Sequence, residues 1–262
     1  MLNLGGGVIT DLGGFVASTY KRGIPFINVP TTLLGMCDAS IGGKTGIDHQ
    51  FLKNIVGTFA EPQQIFVYPD FLRTLPFVEL RSGFAEMLKH GLIADEKHWK
   101  DLSSIENLNP ESIYPFIETS MKIKQKVVEI DFKEQNIRKT LNFGHTIGHA
   151  VESLFLHSNQ LIPHGEAVAL GMICETHLSF LENLINAEME EEIIKKIRKF
   201  YPYISIHAFS SEQLLALMKN DKKNSDGKIS FALIDKIGNC QFDCAVSEEN
   251  IISALHFYQS LA

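Results

Sequence analysis

Asn142-Phe143-Gly144-His145-Thr146-Ile147-Gly148-His149, followed by His164-Gly165-Glu166, gathers three imidazoles around the start of a helix. Residues four apart share one helical face, so His145 and His149 can point into the same cleft. The loop Leu161-Ile162-Pro163-His164 can then bring a third nitrogen, and a carboxylate would complete a three-ligand set with one position left open. Two histidines at this spacing also occur as caps or as hydrogen-bonded core residues, and spacing alone leaves both readings standing. Gly144 and Gly148 favour the metal reading, because poor helix formers at these positions suggest close approach of backbone or ligand.

Outward from this stretch the texture changes twice. Residues 1–75 alternate short β-rich runs with glycine turns: Gly23–Pro30 reads as strand then turn, and Gln64–Tyr68 as another strand. From Pro76 the periodicity becomes helical, with helices expected over Val78–Ala94, Pro110–Asp131, Gly144–Leu156, Glu166–Leu184, Ala187–Phe200 and Ser211–Lys219. Near the end, Lys228–Ile234 and Asn239–Val246 flank Lys236-Ile237-Gly238 and predict a hairpin. The fold class expected is an α/β part with an incomplete Rossmann-like parallel sheet (1–75), then a mainly α-helical metal- and substrate-binding domain with a small β-hairpin (76–262).

The chain has 262 residues, 45% hydrophobic and 21% charged, with a net charge of −7. That is enough to bury two cores, and the acidic balance argues against nucleic acid as a partner. An anionic substrate would need a local basic pocket. No apolar run reaches the length of a membrane span, since Ala167–Cys174 is soon interrupted by Glu175, and the start shows no signal pattern. A cytoplasmic setting is expected. Cys37, Cys174, Cys240 and Cys244 show no C-x-x-C spacing and read as small buried residues in a reducing compartment.

Two glycine clusters invite nucleotide readings. Gly5-Gly6-Gly7-Val8-Ile9-Thr10-Asp11 suits a strand-to-helix turn whose amides meet a phosphate. It is not the Rossmann fingerprint, because the third glycine position holds Thr10 and no acidic residue follows about 20 positions later. Ser40-Ile41-Gly42-Gly43-Lys44-Thr45 ends like a P-loop, but the first required glycine is Asp38 and no apolar strand precedes it. An ATPase or kinase is disfavoured.

In order, these pieces resemble the 3-dehydroquinate synthase family, within the sugar phosphate cyclases. The resemblance rests on Gly5–Val8 with Asp11, Tyr20–Gly23, Val29–Leu34, Asp38–Thr45, Lys53-Asn54, Ala85–Lys89, Arg138 with Leu141–His145, His149, His164–Glu166 and Asp221–Lys223, and spans nearly the whole chain. It implies that Glu86, His145 and His164 hold a divalent zinc or cobalt ion, with His149 handling protons rather than serving as a fourth ligand. It implies that Lys44, Lys89, Lys124, Arg138 and Lys222 meet the carboxylate and phosphate of a seven-carbon acid phosphate. Asn142 and Asp38 would fix hydroxyls, and Arg22 resembles a residue supplied across a homodimer interface. Gly6, Gly7, Val8, Asp11, Thr31, Thr32, Lys44, Lys53, Phe71 and Thr74 match positions around NAD.

The reaction this implies is a cycle on one bound sugar acid: transient NAD-dependent oxidation, loss of phosphate, reduction and an internal aldol closure. The substrate would be 3-deoxy-arabino-heptulosonate 7-phosphate and the products 3-dehydroquinate and phosphate, a step of aromatic amino acid biosynthesis. Two departures stand out. Ser82 replaces an expected Asn on the nucleotide side, and the chain opens in mid-strand at Leu2-Asn3-Leu4, where the family has further elements. Weak NAD binding and little turnover are therefore expected of these residues alone. The alternatives are another sugar phosphate cyclase, such as 2-deoxy-scyllo-inosose synthase, or an inactive zinc-binding fragment.

Overall fold

The computed structural model describes residues 1–49, 52–219 and 229–262. They gather into two compact units, Met1–Met87 with Ile105–Glu134, and Leu88–Ser104 with Gln135–Ala262. In chain order the first carries β1 (Leu2–Gly5), α1 (Gly7–Thr19), β2 (Ile27–Pro30), β3 (Lys44–His49), β4 (Leu52–Phe59), β5 (Gln64–Ile65) and most of α2 (Phe77–Ala94). After α3 (Glu96–Ser104), part of the second unit, it resumes with α4 (Pro110–Ile130). The second unit continues with α5 (His145–His157), α6 (His164–Leu181), α7 (Ala187–Phe200), α8 (Ser211–Lys219), β6 (Ser230–Lys236), β7 (Asn239–Ala245) and α9 (Glu248–Ser260).

The first unit is the α/β part. Its parallel sheet has the order β1-β2-β5, with Asn3 opposite Asn28. These two buried amides pair, Asn3 Nδ2 donating to Asn28 Oδ1 at 2.9 Å, and a slip of one residue would break the pair and bury the wrong face. The strand expected from Gly23 starts only at Ile27, because Lys21 and Arg22 are left-handed (φ 50° and 67°) and turn the chain first. The strand expected at Gln64–Tyr68 shortens to two residues, since Pro69 opens a 3₁₀ turn over Pro69–Thr74. β3 and β4 form an antiparallel ribbon, to which the sequence patterns above assign no element. α4 begins on a reciprocal cap between Asn109 and Ser112, followed by Pro110 at the first helical position, where a missing N–H costs nothing.

In the second unit α6 is buried on every side from Gly165 to Ser179. Such a helix has no solvent face to turn outward and serves as the axis on which others pack. The predicted hairpin forms as β6 and β7, and the Ile234 N–H of β6 donates to Ser179 Oγ of α6 at 3.2 Å. Two helices missing from the sequence reading, α3 and α9, carry legible starts: Asp95 Oδ1 accepts from the His98 N–H and Ser247 Oγ from the Asn250 N–H. No helix among the described residues is long and apolar enough to cross a membrane.

Burial also sets an alkaline limit. Burial pushes the Cys37 thiol up from its ordinary 9.0 to about 12, and raises Cys174 and Tyr258 as well. The folded chain therefore holds protons that the unfolded chain releases. This contribution is present in full below the unfolded thiol value near 9.0 and is lost as pH rises toward 12. The urea midpoint is expected to hold between about pH 7 and 8.5 and to fall steadily above about 9. A midpoint unchanged at about pH 11 would contradict this.

Candidate metal centre

The histidine stretch folds as its spacing predicts, with one change. His145 and His149 lie one turn apart on α5, while His164 is the first residue of α6 rather than the last of a loop. Ligating atoms of all three lie within 4.8 Å of one another, and the ring centroids are separated by 5.1 Å (His145–His149), 5.5 Å (His145–His164) and 5.9 Å (His149–His164).

Two of the rings are oriented from behind. His145 Nδ1 lies 3.1 Å from the Phe143 carbonyl, which can only accept, so Nδ1 carries the proton and Nε2 keeps a lone pair for a metal. His164 Nδ1 lies 3.4 Å from Glu152 Oε2, a carboxylate–imidazole pairing of the sort that backs metal ligands. Glu152, buried on α5, was not anticipated. Nitrogen donors this close suit a divalent zinc or cobalt ion. Glu152→Gln is expected to weaken zinc binding by about 10-fold or more, read by competition with a chromogenic chelator. An unchanged affinity would mean that the Glu152 contact does not serve the metal.

The glycines explain how α5 and α6 come so close. Gly144 is left-handed (φ 80°), and a Cβ there would stand 2.5 Å from Met172 Cγ and 2.9 Å from the Val168 carbonyl. A Cβ on Gly171 of α6 would fall 1.9 Å from the Gly144 carbonyl oxygen. The two backbones therefore meet without side chains between them. The close approach suspected from Gly144 and Gly148 is one of backbone with backbone.

The remaining candidates divide between the units. In the second, Lys89 and Arg138 are almost completely buried at 1% and 2% exposure, and Asn142 closes the 3₁₀ turn Ile137–Asn142 that leads into α5. In the first, Lys124 of α4 donates to the Asp38 carbonyl at 2.6 Å and to its carboxylate at 2.5 Å, while Lys44 pairs with Glu134. Glu134 was another residue that spacing could not reveal. Asp38 lies in a π-turn, Gly35–Ala39, an irregularity often found at sites. Glu86 is fully buried on α2.

Among the residues matched to NAD positions, Gly6 caps α1 and packs against Thr32, whose Oγ1 accepts from the Gly35 N–H at 3.0 Å. Thr31 follows β2, Asp11 lies on α1, and Phe71 and Thr74 share the 3₁₀ turn after β5. Gly7 opens α1, Val8 is 79% exposed, and Arg22 stands exposed at its left-handed turn. The Lys53 side chain and all of Lys222 lie outside the described residues.

Known proteins resemble the chain over nearly its whole length. Residues 1–82 match the profile of the 3-dehydroquinate synthase N-terminal domain, and residues 83–224 that of the C-terminal domain. A 3-dehydroquinate synthase of Parabacteroides distasonis is 44% identical over 99% of this chain and 74% of its own length. One of Campylobacter concisus is 40% identical over the same shares. Among solved structures, the 2-epi-5-epi-valiolone synthase of Streptomyces hygroscopicus, with NAD+ and Zn2+ bound, superimposes with a TM-score of 0.86 at 27% identity, over 100% of this chain and 73% of that one. With its α/β unit, its helical unit carrying the β6–β7 hairpin, and relatives of this identity, the chain belongs to the 3-dehydroquinate synthase family.

Proposed function

We propose that the chain converts 3-deoxy-arabino-heptulosonate 7-phosphate to 3-dehydroquinate and inorganic phosphate. The observation that carries this reading is 44% identity to a 3-dehydroquinate synthase along 99% of the chain. When bound, NAD would take up and return a hydride, and zinc or cobalt would polarise a substrate hydroxyl. Glu86, His145 and His164 are the proposed metal ligands, and the Phe143 carbonyl and Glu152 hold the two imidazoles in the ligating tautomer. His149, half-buried beside them, is proposed to move protons, since an imidazole gains and loses one near neutral pH.

Anion binding falls to Lys89, Arg138, Lys44, Lys124 and Lys222. The burial of Lys89 and Arg138 supports this, because a cation away from water pulls harder on a carboxylate or phosphate. Asp38, fixed by Lys124, and Asn142 would orient hydroxyls. Gly6, Gly7, Val8, Asp11, Thr31, Thr32, Lys53, Phe71 and Thr74 would surround NAD. A cytoplasmic homodimer belongs to the same proposal, with exposed Arg22 offered to the partner, and sedimentation tests the dimer.

Incubation with zinc, NAD and the acid phosphate should release inorganic phosphate. A heptulose phosphate lacking the carboxylate should release little. The reverse preference would favour the second reading, a sugar phosphate cyclase of other specificity, which the likeness to 2-epi-5-epi-valiolone synthase supports. Arg138→Gln is expected to weaken the acid phosphate by about 10- to 100-fold while leaving NAD within about twofold, read by titration of each ligand. Equal losses for both would remove Arg138 from the substrate side.

A further inference from the structure

Helix α5 has an unusual start. Gly144 at its N-cap brings no side chain, and no side chain could fit there against Met172 and the Val168 carbonyl. The first N–H groups of a helix lack partners within it and are ordinarily met by a Ser, Thr, Asp or Asn at the cap. Here they are met from another helix. Glu175 of α6, itself 0% exposed, accepts from the Gly144 N–H through Oε2 at 2.6 Å and from the Ile147 N–H through Oε1 at 3.2 Å. These are the two donors that a capping box satisfies with two local side chains, now held by one carboxylate.

The residues bracketed by this contact are His145, between its two points of attachment, and His149, one turn further along. A helix start carries roughly half a positive charge, which opposes a divalent cation on a ring in the first turn. A carboxylate bonded to the same amides brings negative charge to that place. We propose that Glu175 is a positioning residue of the metal site: it fixes the pitch and register of α5, and so the aim of His145, and it offsets the positive helix end that a bound cation would face. The effect of Glu175 passes through the amides of Gly144 and Ile147. This inference rests on the reading of His145 and His164 as metal ligands.

The test compares the unaltered chain, Glu175→Gln and Glu190→Gln in the metal-free state, titrated with Co2+. Glu190 Oε1 pairs with His177 Nδ1 at 2.5 Å, so its variant removes another buried carboxylate contact to α6, away from α5. Glutamine keeps the shape of Glu175 but lacks its charge and turns one donor toward another. Glu175→Gln is expected to keep its helical circular dichroism, to weaken Co2+ by about 10- to 100-fold, the range for loss of an outer partner of a metal ligand, and to shift the visible cobalt absorption. Glu190→Gln is expected to lower the melting temperature and leave cobalt affinity and spectrum unchanged. An unchanged affinity and spectrum in Glu175→Gln would overturn the proposal, as would equal weakening in both variants, which would indicate general loosening. If the unaltered chain binds no cobalt, the ligand reading falls and this inference with it; if it binds and only Glu175→Gln is silent, this inference alone falls.

Discussion

Gly171→Ala is expected to destabilise the second unit by about 3 to 5 kcal/mol, the upper part of the range for single substitutions. The added Cβ would stand 1.9 Å from the Gly144 carbonyl oxygen, 2.8 Å from its carbon and 2.9 Å from the Gly148 nitrogen. All three are backbone atoms, so no side chain can swing aside and α5 must move bodily away from α6. The melting temperature should drop by on the order of 10 °C. Zinc affinity should fall with it, because His145 and His149 ride on α5 and His164 on α6. Calorimetry with and without zinc checks both effects, and a shift within about 2 °C would show that the helices separate at little cost.

His145→Ala is expected to abolish stoichiometric metal binding, a larger loss than the roughly 100-fold that removal of an outer partner causes. His149→Ala should keep the metal and lose turnover. Elemental analysis of the two purified variants decides between this assignment and the simpler pairing of His145 with His149, for their ligating atoms lie equally within the 4.8 Å cluster. Metal retained in His145→Ala and lost in His149→Ala would reverse the roles.

Much of the fold was legible because periodicity reports burial. The alternation around Lys236-Ile237-Gly238 predicted β6 and β7, and helical spacing predicted α2, α4 and α5 to within one or two residues. β3 and β4 were hidden by their glycines. Gly46 and Gly57 face each other across that ribbon, and a Cβ on Gly57 would fall 2.2 Å from the Thr45 carbonyl. The missing side chain at Gly57 answers a cross-strand contact. α3 escaped because Trp99 and Leu102, its buried apolar residues, are too few in nine positions to show a period.

The site was legible where chemistry depends on residue type. Three histidines announced themselves by spacing, while their supporters did not. Glu152 reaches His164 from the neighbouring helix, and Glu175 binds backbone amides, partners that carry no side-chain signature. The one hint was negative: Glu175 interrupts an apolar run, and a carboxylate in a helix buried from Gly165 to Ser179 needs a reason to be there.

The buried axis formed by α6 also bears on which changes of length the chain can accept. His164 stands at its first residue, Gly171 at the crossing with α5, Glu175 at the amides of Gly144 and Ile147, His177 at Glu190, and Ser179 at the hairpin. Each lies at a fixed number of residues from His164, and each turn of phase serves a different neighbour. One residue inserted between His164 and Gly171 would rotate every later attachment by about 100° relative to the histidine, with no solvent-facing arc to absorb the error. Insertions and deletions in this family should therefore collect in stretches such as residues 158–163, which carry no helix or strand, and be purged from residues 164–179, whose length is as constrained as their composition.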